Sequence, residues 1–447
     1  MPLNVGAVLV FDKGGLSEIE SYDRIMRLVV ARIHKLPHFR KKIVNAPLGL
    51  VQPYWVEDLT FSVSSHVHLA FPNREVNLDQ VLEYGATILP ARFDRSRPLW
   101  DLFVIPRVEG NRLVVIAKLH HAIIDGVSGM QALASMFDLN EEFDSEIQPV
   151  AHTQEVGPSQ FEVTTRTMLG LADHVLSALS IGVSTAKEIP AVLTNVPSET
   201  VLKLASDMIP VPRRTGATSS ISAIRKIVSH RFRLSDVKEI AGRNGVKVND
   251  VLLTLSQGAL VGYLKAHELD LPEHLVGMVP VSVHEESGDV ASKNKVSALF
   301  LTIPTTFENS RDLLSRVHAI TDRAKAIHSG IGPMFFYNLA QVIPPVVLEA
   351  LFRTAARSEL FNVAPPLFNY VVSNVPGPNF DLFMAGNRLE RMIPLAPVAD
   401  GSGITFAYLS YKGMIDLGLT VDPNLYAFAE EFPVRVDEIL TELLRNE

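Results

Sequence analysis

A β-hairpin that runs directly into a helix start is the feature that most constrains the fold of this chain. Alternating apolar residues predict strands over Trp100–Arg107 and Arg112–His120, joined by a turn at Glu109-Gly110-Asn111. The second strand ends in two adjacent histidines, and Asp125-Gly126 then opens a helix. A strand pair that passes into a helix within a few residues is typical of mixed α/β domains.

The same alternation of strands and helices extends over most of the chain. Helices are predicted from Ser17, which begins a Ser-x-x-Glu capping pattern, to Leu36, and over Asn77–Leu89, Leu234–Gly245 and onward from Asn249. Further strands are predicted over Asn4–Phe11, Leu275–His284, Val296–Ile303, Leu367–Val375, Ile404–Tyr411 and Met414–Val421. The sequence therefore predicts an α/β fold with mixed (α+β) sheets, arranged in two halves.

Length and composition allow more than one hydrophobic core. The chain has 447 residues, of which 47% are apolar and 20% charged, the balance of a globular protein. Its middle changes character: an acidic run at Asn140–Glu146 leads into an apolar helical stretch and then a loop at Pro212–Ser220. We therefore expect an N-terminal domain at 1–145, a crossover linker with an apolar helix at 146–220 and a C-terminal domain at 221–447.

Charge and cysteine content exclude several classes of function. There are 41 lysines and arginines against 49 acidic residues, a net charge of −8, without the basic stripe that nucleic acid binding requires. Cysteine is absent, which excludes disulfides, cysteine-ligated metals and a thiol nucleophile. Any group transfer by this chain must use another nucleophile or none.

Membrane signals are weak. The first residues show no signal peptide, and no uninterrupted apolar run reaches the roughly 18 residues of a spanning helix. Two polar-interrupted stretches come nearest, Met168–Ala191 and Ile331–Phe352. Buried helices are the favoured interpretation, and an apolar surface resting on a bilayer or lipid droplet is the alternative. The sequence predicts a cytoplasmic protein, free or peripheral on the inner membrane or on lipid droplets.

The two histidines carry the chemical signal. Metal binding by His120, His121 and Asp125 is disfavoured because neighbouring residues on a strand point to opposite faces. A structural role explains Asp125 as an N-cap and Gly126 as a turn residue, but not two adjacent histidines. A general base is the third interpretation. The strand face that ends in His121 is otherwise apolar while the other carries Lys118, so this pattern modestly favours His121 as the base.

These residues resemble a known family. The segment from His120 to Gly126 reads His-His-x-x-x-Asp-Gly, the signature of CoA-dependent acyltransferases such as chloramphenicol acetyltransferase, plant alcohol acyltransferases and peptide-synthetase condensation domains. Pro98-Leu99-Trp100, Val248–Leu253, Ser373–Pro378 and the hairpin Tyr408–Gly413 fit further motifs of one branch. Together they resemble the bacterial wax ester synthase/diacylglycerol acyltransferases over nearly the whole chain. Packing at a strand entry still accounts for the first of these motifs, and a rigid loop for the third.

The resemblance implies a fold and substrates. It implies two chloramphenicol acetyltransferase-like domains with an active-site tunnel between them, entered from different sides by a long-chain acyl-CoA and an acceptor alcohol. The acceptor would be a fatty alcohol, giving wax ester, or diacylglycerol, giving triacylglycerol. No metal or cofactor is implied beyond acyl-CoA as substrate. The family usually carries a further segment before its first strand, which here begins almost at once at Asn4, so pocket shape and acyl chain length stay open.

The resemblance also implies roles for single residues. His121 would be the general base, His120 a supporting residue and Asp125 a structural one. Asn249 would orient the substrate or donate to the oxyanion, although an ordinary helix N-cap is an equally good interpretation of it. Substrate-binding roles are implied for Gly126, Asp250, Ser373 and Asn374.

Direct attack of the alcohol on the thioester, without a covalent enzyme intermediate, is the expected mechanism, because the chain has neither cysteine nor a Gly-x-Ser-x-Gly elbow. One alternative is a condensation- or polyketide-type acyltransferase that uses another acceptor or a carrier protein. Another is a non-catalytic lipid-binding or lipid-droplet protein, which the intact histidines disfavour.

Overall fold

The computed structural model describes residues 3–45, 53–123, 134–144, 212–282, 296–331 and 365–445, together with the single positions 148, 162, 165 and 354. These residues form two six-stranded sheets and a separate two-stranded ribbon, with helices packed on the sheets. The predicted mixed α/β class is confirmed.

The elements are numbered in chain order. The strands are β1 Asn4–Asp12, β2 Lys41–Val44, β3 Tyr54–Glu57, β4 Val67–Leu69, β5 Trp100–Val108, β6 Arg112–His120, β7 Lys226–Arg233, β8 His274–Ser282, β9 Val296–Pro304, β10 Tyr370–Pro376, β11 Phe383–Met384, β12 Asn387–Leu395, β13 Ile404–Tyr411 and β14 Met414–Val421. The helices are α1 Glu18–Arg32, α2 Leu78–Ile88, α3 Leu234–Asn244, α4 Val248–Ala266, α5 Ser310–Ile331 and α6 Phe432–Leu444.

The first sheet places β6 at its centre. Its strand order is β11-β12-β1-β6-β5-β4, so β6 pairs with β1 on one side and β5 on the other, both antiparallel. Alternate residues of β6 pack into two different cores. One face, with Leu113 and Val115, joins the core around α1, and the other, with Val114 and Ile116, joins the core around α2. Both faces of the strand that ends in the histidines are therefore covered.

The second sheet has the order β7-β14-β13-β10-β8-β9. β10 lies parallel to β13 and β8, and the other pairs are antiparallel. α4 is buried on nearly all sides, with apolar side chains from Val251 to Leu264 in the core of this half. Because the sides of α4 are buried, the exposed residue Asn249 in its first turn is the part of the helix that a ligand can reach.

The two halves of the sequence share a sheet. β11 and β12 come from the C-terminal half but extend the first sheet, where β12 pairs antiparallel with β1. The predicted division at 145 and 221 therefore does not describe the sheets in full, because residues 383–395 lie with the N-terminal strands. Strand pairing joins segments far apart in sequence, and no local pattern announces that partner.

Several predicted bounds differ from the observed ones. α1 ends at Arg32 rather than Leu36, and short 3-10 turns follow over Ile33–Lys35 and Pro37–Arg40. Proline disfavours a helical conformation in the residue before it, which ends the helix ahead of Pro37. α4 begins at Val248, one residue before the predicted start, and β10 begins at Tyr370.

Some predictions lie outside the described residues. These are the helix predicted from Asp125, most of the linker at 146–220, the stretch Met168–Ala191 and nearly all of Ile331–Phe352. Within the described ranges, no helix combines the length and the apolar character that crossing a bilayer would take.

Candidate active site

The backbone at the end of β6 is held from both sides. The His120 N–H donates to the Leu99 carbonyl at 2.9 Å, and the His121 N–H donates to the Leu3 carbonyl at 2.8 Å. A tight turn follows, in which the Ile123 N–H donates to the His120 carbonyl at 2.9 Å. The strands on either side of β6 thus fix the position of the histidine pair.

The ring of His120 is engaged locally. Its Nδ1 accepts a hydrogen bond from the Ala122 N–H at 3.1 Å, which requires that nitrogen to carry no proton. In the neutral ring the proton therefore sits on Nε2. Burial lowers the pKa of His120, and Arg95 and His121 lower it further by charge repulsion. His120 thus stays neutral near pH 7 and has no free lone pair to accept a proton.

His121 differs from its neighbour. Its side chain is half-buried, and among the residues that the structure describes no group forms a hydrogen bond to its ring. Asp125 and Gly126, the other members of the motif, lie outside the described residues. Of the two histidines, His121 is the one whose ring remains available for proton transfer.

Pro98-Leu99-Trp100 supports the pair through packing. Leu99 and Trp100 are each only 1% exposed. The Trp100 indole N–H donates to the Phe39 carbonyl at 2.7 Å, and its ring stacks on His66 at 4.5 Å. The Leu99 carbonyl accepts from His120. This motif accompanies the histidines because it forms the neighbouring strand entry, as the packing interpretation holds.

Asn249 and Asn374 meet across the second half of the chain. The Asn374 amide Nδ2 donates to Asn249 Oδ1 at 2.7 Å, which joins the first turn of α4 to β10. Asn249 is not the N-cap of α4, since that position belongs to Lys247. The Asn249 side chain is exposed, and no group within the described ranges accepts from its Nδ2, so both Nδ2 hydrogens remain as donors. Two of the recognised motifs, 125 positions apart, therefore converge.

Asp250 is the residue that fixes this arrangement. Its carboxylate is fully buried and accepts from the Lys247 N–H at 3.0 Å, from His318 Nδ1 at 2.8 Å and from the Thr321 hydroxyl at 2.8 Å. Both oxygens are thus occupied by donors from α4 and α5. We assign Asp250 to positioning the start of α4, and hence Asn249, rather than to contact with a ligand.

Ser373 lies beside Asn374 on β10, half-buried, opposite Ala407 of β13. The strand leaves the sheet through Gly377, where a Cβ atom would lie 2.2 Å from the Ser410 carbonyl oxygen. Only glycine allows this approach, which explains the glycine of the Ser373–Pro378 motif. The end of the motif therefore forms a rigid loop at Gly377, and its start supplies the polar side chains of Ser373 and Asn374.

A shared core connects the histidines to this second cluster. Leu409 of β13 lies opposite Val375, the residue after Asn374. The same Leu409 belongs to the hydrophobic core that contains Leu119 and Ile123, which flank the histidine pair. The two groups of motif residues thus border one continuous core, although they come from opposite halves of the chain.

Lys118 is a polar neighbour whose environment the sequence did not reveal. It is 4% exposed, two residues before His120, and its ammonium donates to the Ala91 carbonyl at 2.7 Å. The ammonium also lies 4.2 Å from the centroid of the Phe93 ring. Burial lowers its pKa to about 8. The lysine in an otherwise apolar strand is a signal in the sequence, but its partner Ala91 lies 27 residues upstream in a loop.

Two family models match most of the chain. The wax ester synthase/diacylglycerol acyltransferase catalytic domain matches residues 1–252, and the C-terminal domain of the same family matches residues 293–443. Among curated relatives, a Mycobacterium tuberculosis protein that carries the name diacylglycerol O-acyltransferase is 28% identical, over 98% of this chain and 86% of its own. Another from that organism, tgs1, carries the same type of name and is 25% identical, over 99% and 91%.

Solved structures share the fold. The wax ester synthase/diacylglycerol acyltransferase from Marinobacter aquaeolei VT8 aligns with 99% of this chain and 94% of its own, with a TM-score of 0.66 and 21% identity. The first condensation domain of the CDA synthetase aligns with 99% and 92%, with a TM-score of 0.53 and 13% identity. The predicted pair of chloramphenicol acetyltransferase-like domains is thereby confirmed.

Proposed function

Because the chain belongs to the wax ester synthase/diacylglycerol acyltransferase family, we propose that it transfers a long-chain acyl group from acyl-CoA to the hydroxyl of a fatty alcohol or diacylglycerol. Its products are then wax ester or triacylglycerol. The observation that carries the proposal is the histidine pair at the end of β6, in which His120 is locked by a local hydrogen bond and the ring of His121 remains available.

His121 acts as the general base in this proposal. Its neutral imidazole accepts the hydroxyl proton of the acceptor while the oxygen attacks the thioester carbonyl. The carbon–sulfur bond then breaks, and the imidazolium returns the proton to the CoA thiolate. His120 supports the base by fixing the turn that follows the strand, since its ring binds the Ala122 N–H.

Asn249 stabilises the oxyanion of the tetrahedral intermediate. Among the described residues no group accepts from its Nδ2, while Asn374 donates to its Oδ1 and Asp250 accepts from the Lys247 N–H at the helix start. A single donor of this kind is worth about 2.7–4 kcal/mol. Ser373, Asn374 and Gly126 complete the predicted substrate contacts, and Asp125 keeps the structural role that the resemblance implies.

Transfer is direct, in a tunnel between the two domains that binds both substrates at once. The chain has no cysteine, and its sequence contains no nucleophile elbow for an acyl-serine. Both acceptors are nearly insoluble in water, so we place the reaction at a membrane or lipid-droplet surface. No metal or other cofactor takes part in this mechanism.

The test combines two acceptors with a series of acyl-CoA chain lengths. Purified protein is assayed with hexadecanol and with dioleoylglycerol, and both the ester and the released CoA thiol are measured. His121→Ala should lower the rate by about 10²–10⁴-fold because the base is lost. The matched control is His274→Ala, which removes an exposed histidine at the start of β8 and should leave the rate unchanged.

Four results would contradict the proposal. An unimpaired His121→Ala enzyme would exclude this residue as the base. Thiol release without ester would indicate a hydrolase. Product formed only from acyl groups on a carrier protein would favour the condensation-type alternative, and lipid binding without any thioester cleavage the non-catalytic one.

A further inference from the structure

A loop rich in arginine lies beside the histidine pair. We call residues Ala91–Arg97 the arginine loop. Its first residue is fixed from below: the Ala91 carbonyl accepts from Asn4 Nδ2 at 2.8 Å and from Lys118 Nζ at 2.7 Å. Asn4 pairs directly with His120 across β1 and β6. The loop is thus attached to the two strands that hold the histidines.

The far end of the arginine loop is fixed as well. The Asp94 carboxylate accepts from the Ser96 N–H at 2.8 Å, which closes a turn within the loop. Arg97 donates to the Ser65 carbonyl at 2.6 Å and to Asp101 at 3.3 Å. Two residues later the Leu99 carbonyl holds His120. The loop therefore has a defined conformation although it lies at the surface.

Two arginines of this loop are left over. Arg92 and Arg95 are exposed, and within the described part of the chain neither has an ion pair or a side-chain hydrogen bond. Arginines at the other end of the same hairpin are neutralised instead, Arg107 by Glu18 and Arg112 by Glu390. In a protein of net charge −8, two unpaired guanidinium groups on a fixed loop form a local positive site.

We propose that Arg92 and Arg95 bind the phosphates of the acyl donor, the diphosphate and 3′-phosphate of CoA. This inference rests on the proposed function. Arg95 lies four residues from Leu99, so their Cα atoms are at most about 14 Å apart. In CoA the pantetheine arm links the thioester to the phosphates, so a donor whose thioester lies at His121 can present its phosphates to the arginine loop. Guanidinium groups match phosphate oxygens in charge and geometry.

The test compares two thioester donors, of which only one carries phosphates. Acyl-CoA carries them, and the acyl-pantetheine of the same chain length does not. The double variant Arg92→Gln/Arg95→Gln should raise KM for acyl-CoA about tenfold, as expected for two exposed charge pairs of about 0.7 kcal/mol each. KM for acyl-pantetheine and kcat for both donors should not change.

The matched control removes the same charge elsewhere. Arg27→Gln/Arg74→Gln changes two exposed arginines outside the loop, and Arg74 lies near Val76, which bridges to Val108 at the opposite end of β5 from Trp100. This variant should keep the wild-type KM for both donors. Salt should raise KM for acyl-CoA more in the wild type than in the loop variant. Salt screens the arginine–phosphate contacts, and the loop variant no longer makes them.

A second measurement does not depend on turnover. Calorimetry with 3′,5′-adenosine diphosphate should show binding to the wild type and to the control, and weaker binding to the loop variant. An unchanged KM for acyl-CoA in an active enzyme would overturn the inference, as would an equal rise for both donors. If neither donor supports transfer, the proposed function fails, and loss of nucleotide binding in the variant still supports the phosphate site.

Anionic lipid is the competing source of phosphate. Binding to phosphatidylglycerol vesicles is therefore measured for the wild type, the loop variant and the control. If the loop variant loses vesicle binding while its KM for acyl-CoA stays at the wild-type value, the arginine loop contacts lipid and the inference is wrong. Equal vesicle binding by all three proteins, together with the donor-specific rise in KM, supports it.

Discussion

At the scale of single residues, three polar side chains around β6 form hydrogen bonds to the backbone. Lys118 donates to the Ala91 carbonyl, Asn4 donates to the Leu89 and Ala91 carbonyls, and the ring of His120 accepts from Ala122. An unsatisfied buried polar group costs about 1–3 kcal/mol, so these contacts decide whether the strand can carry such residues. Charge burial still has a cost for Lys118, which its titration should reveal.

The pH dependence of stability tests the burial of Lys118. Its pKa falls from 10.5 to about 8 on folding, so between these values the unfolded chain binds a proton that the folded chain releases. The free energy of unfolding should therefore rise with pH from 8 to 10.5 by up to about 1.4 kcal/mol per unit through this residue. Below pH 8 both states are protonated, and the full cost of about 3 kcal/mol remains.

Urea denaturation at pH 7, 8, 9 and 10 measures this effect. Lys118→Met lacks the titrating group. As pH rises above 8, the wild type should therefore gain unfolding free energy relative to this variant. Lys238→Met, which replaces an exposed lysine on α3, is the control and should follow the wild type at every pH. Parallel curves for wild type and Lys118→Met would contradict the buried ammonium.

At the scale of elements, the start of α4 is the structure on which the second cluster depends. Asp250 occupies the third position of the helix, where a carboxylate accepts from the N-cap backbone and favours the helix dipole. Unlike an ordinary capping residue, it also accepts from His318 and Thr321 one helical turn apart on α5. The position of Asn249 is therefore set by a contact between two helices.

Asp250→Ala should separate these helices. The change leaves the Lys247 N–H and His318 Nδ1 without their acceptor, and the Thr321 hydroxyl with the His318 carbonyl alone. It should lower the free energy of unfolding by about 3 kcal/mol. Because Asn249 loses its orientation, kcat should fall more than KM changes. Asp250→Asn, which keeps one acceptor oxygen, should recover part of both losses.

The matched control lies on the neighbouring helix. Asp236 occupies the third position of α3 and is partly exposed, and in the part of the chain that the structure describes its carboxylate accepts only from the adjacent Ser235 hydroxyl. Asp236→Ala should cost about 0.5 kcal/mol and leave kcat unchanged. Chemical denaturation and steady-state kinetics measure both quantities. Equal effects of the two substitutions would show that Asp250 is an ordinary helix-start residue.

The elements that sequence predicts well are those with local signals. Arg112–His120 and the hairpin Ile404–Tyr411 and Met414–Val421 have the predicted bounds, since turn residues such as Gly110 and Gly413 carry positive φ. β12 was not predicted, because Asn387–Leu395 mixes charged residues with a proline and pairs with β1.

The candidate site also has a part that the sequence predicts and a part that it does not. The histidine pair and the two asparagines stand out by motif, and the structure brings Asn249 and Asn374 into contact. The role of Asp250 could not be predicted, because its acceptor oxygens are used by His318 and Thr321, which lie 68 and 71 positions away. Burial of a carboxylate follows from such partners and not from its neighbours in sequence.

At the scale of the whole molecule, a contact between β12 of the first sheet and β14 of the second connects the two sheets. Arg391 of β12 donates twice to one oxygen of Asp416 on β14, at 3.0 and 2.7 Å. Asp416 is fully buried, and burial raises its pKa despite the nearby Arg391 and Arg231. A buried ion pair of this kind adds little net stability but is costly to break from one side. The pair therefore makes separation of the halves unfavourable.

Glycine at position 418 allows the two strands to approach. A Cβ atom there would lie 1.8 Å from the Pro394 carbonyl oxygen, so Gly418→Ala forces β14 away from β12. We expect a loss of about 3 kcal/mol or more in the free energy of unfolding, together with loss of acyl transfer, since the histidines and Asn249 lie on opposite sides of this contact.

Gly242→Ala is the control, because a Cβ atom at this position in α3 would meet nothing within 4 Å. This substitution should stabilise the protein by about 1 kcal/mol. Thermal unfolding followed by calorimetry and by tryptophan fluorescence gives both values. Wild-type stability in Gly418→Ala would mean that the sheets are not held together at this contact, and the shared strand β12 alone would then have to keep the site assembled.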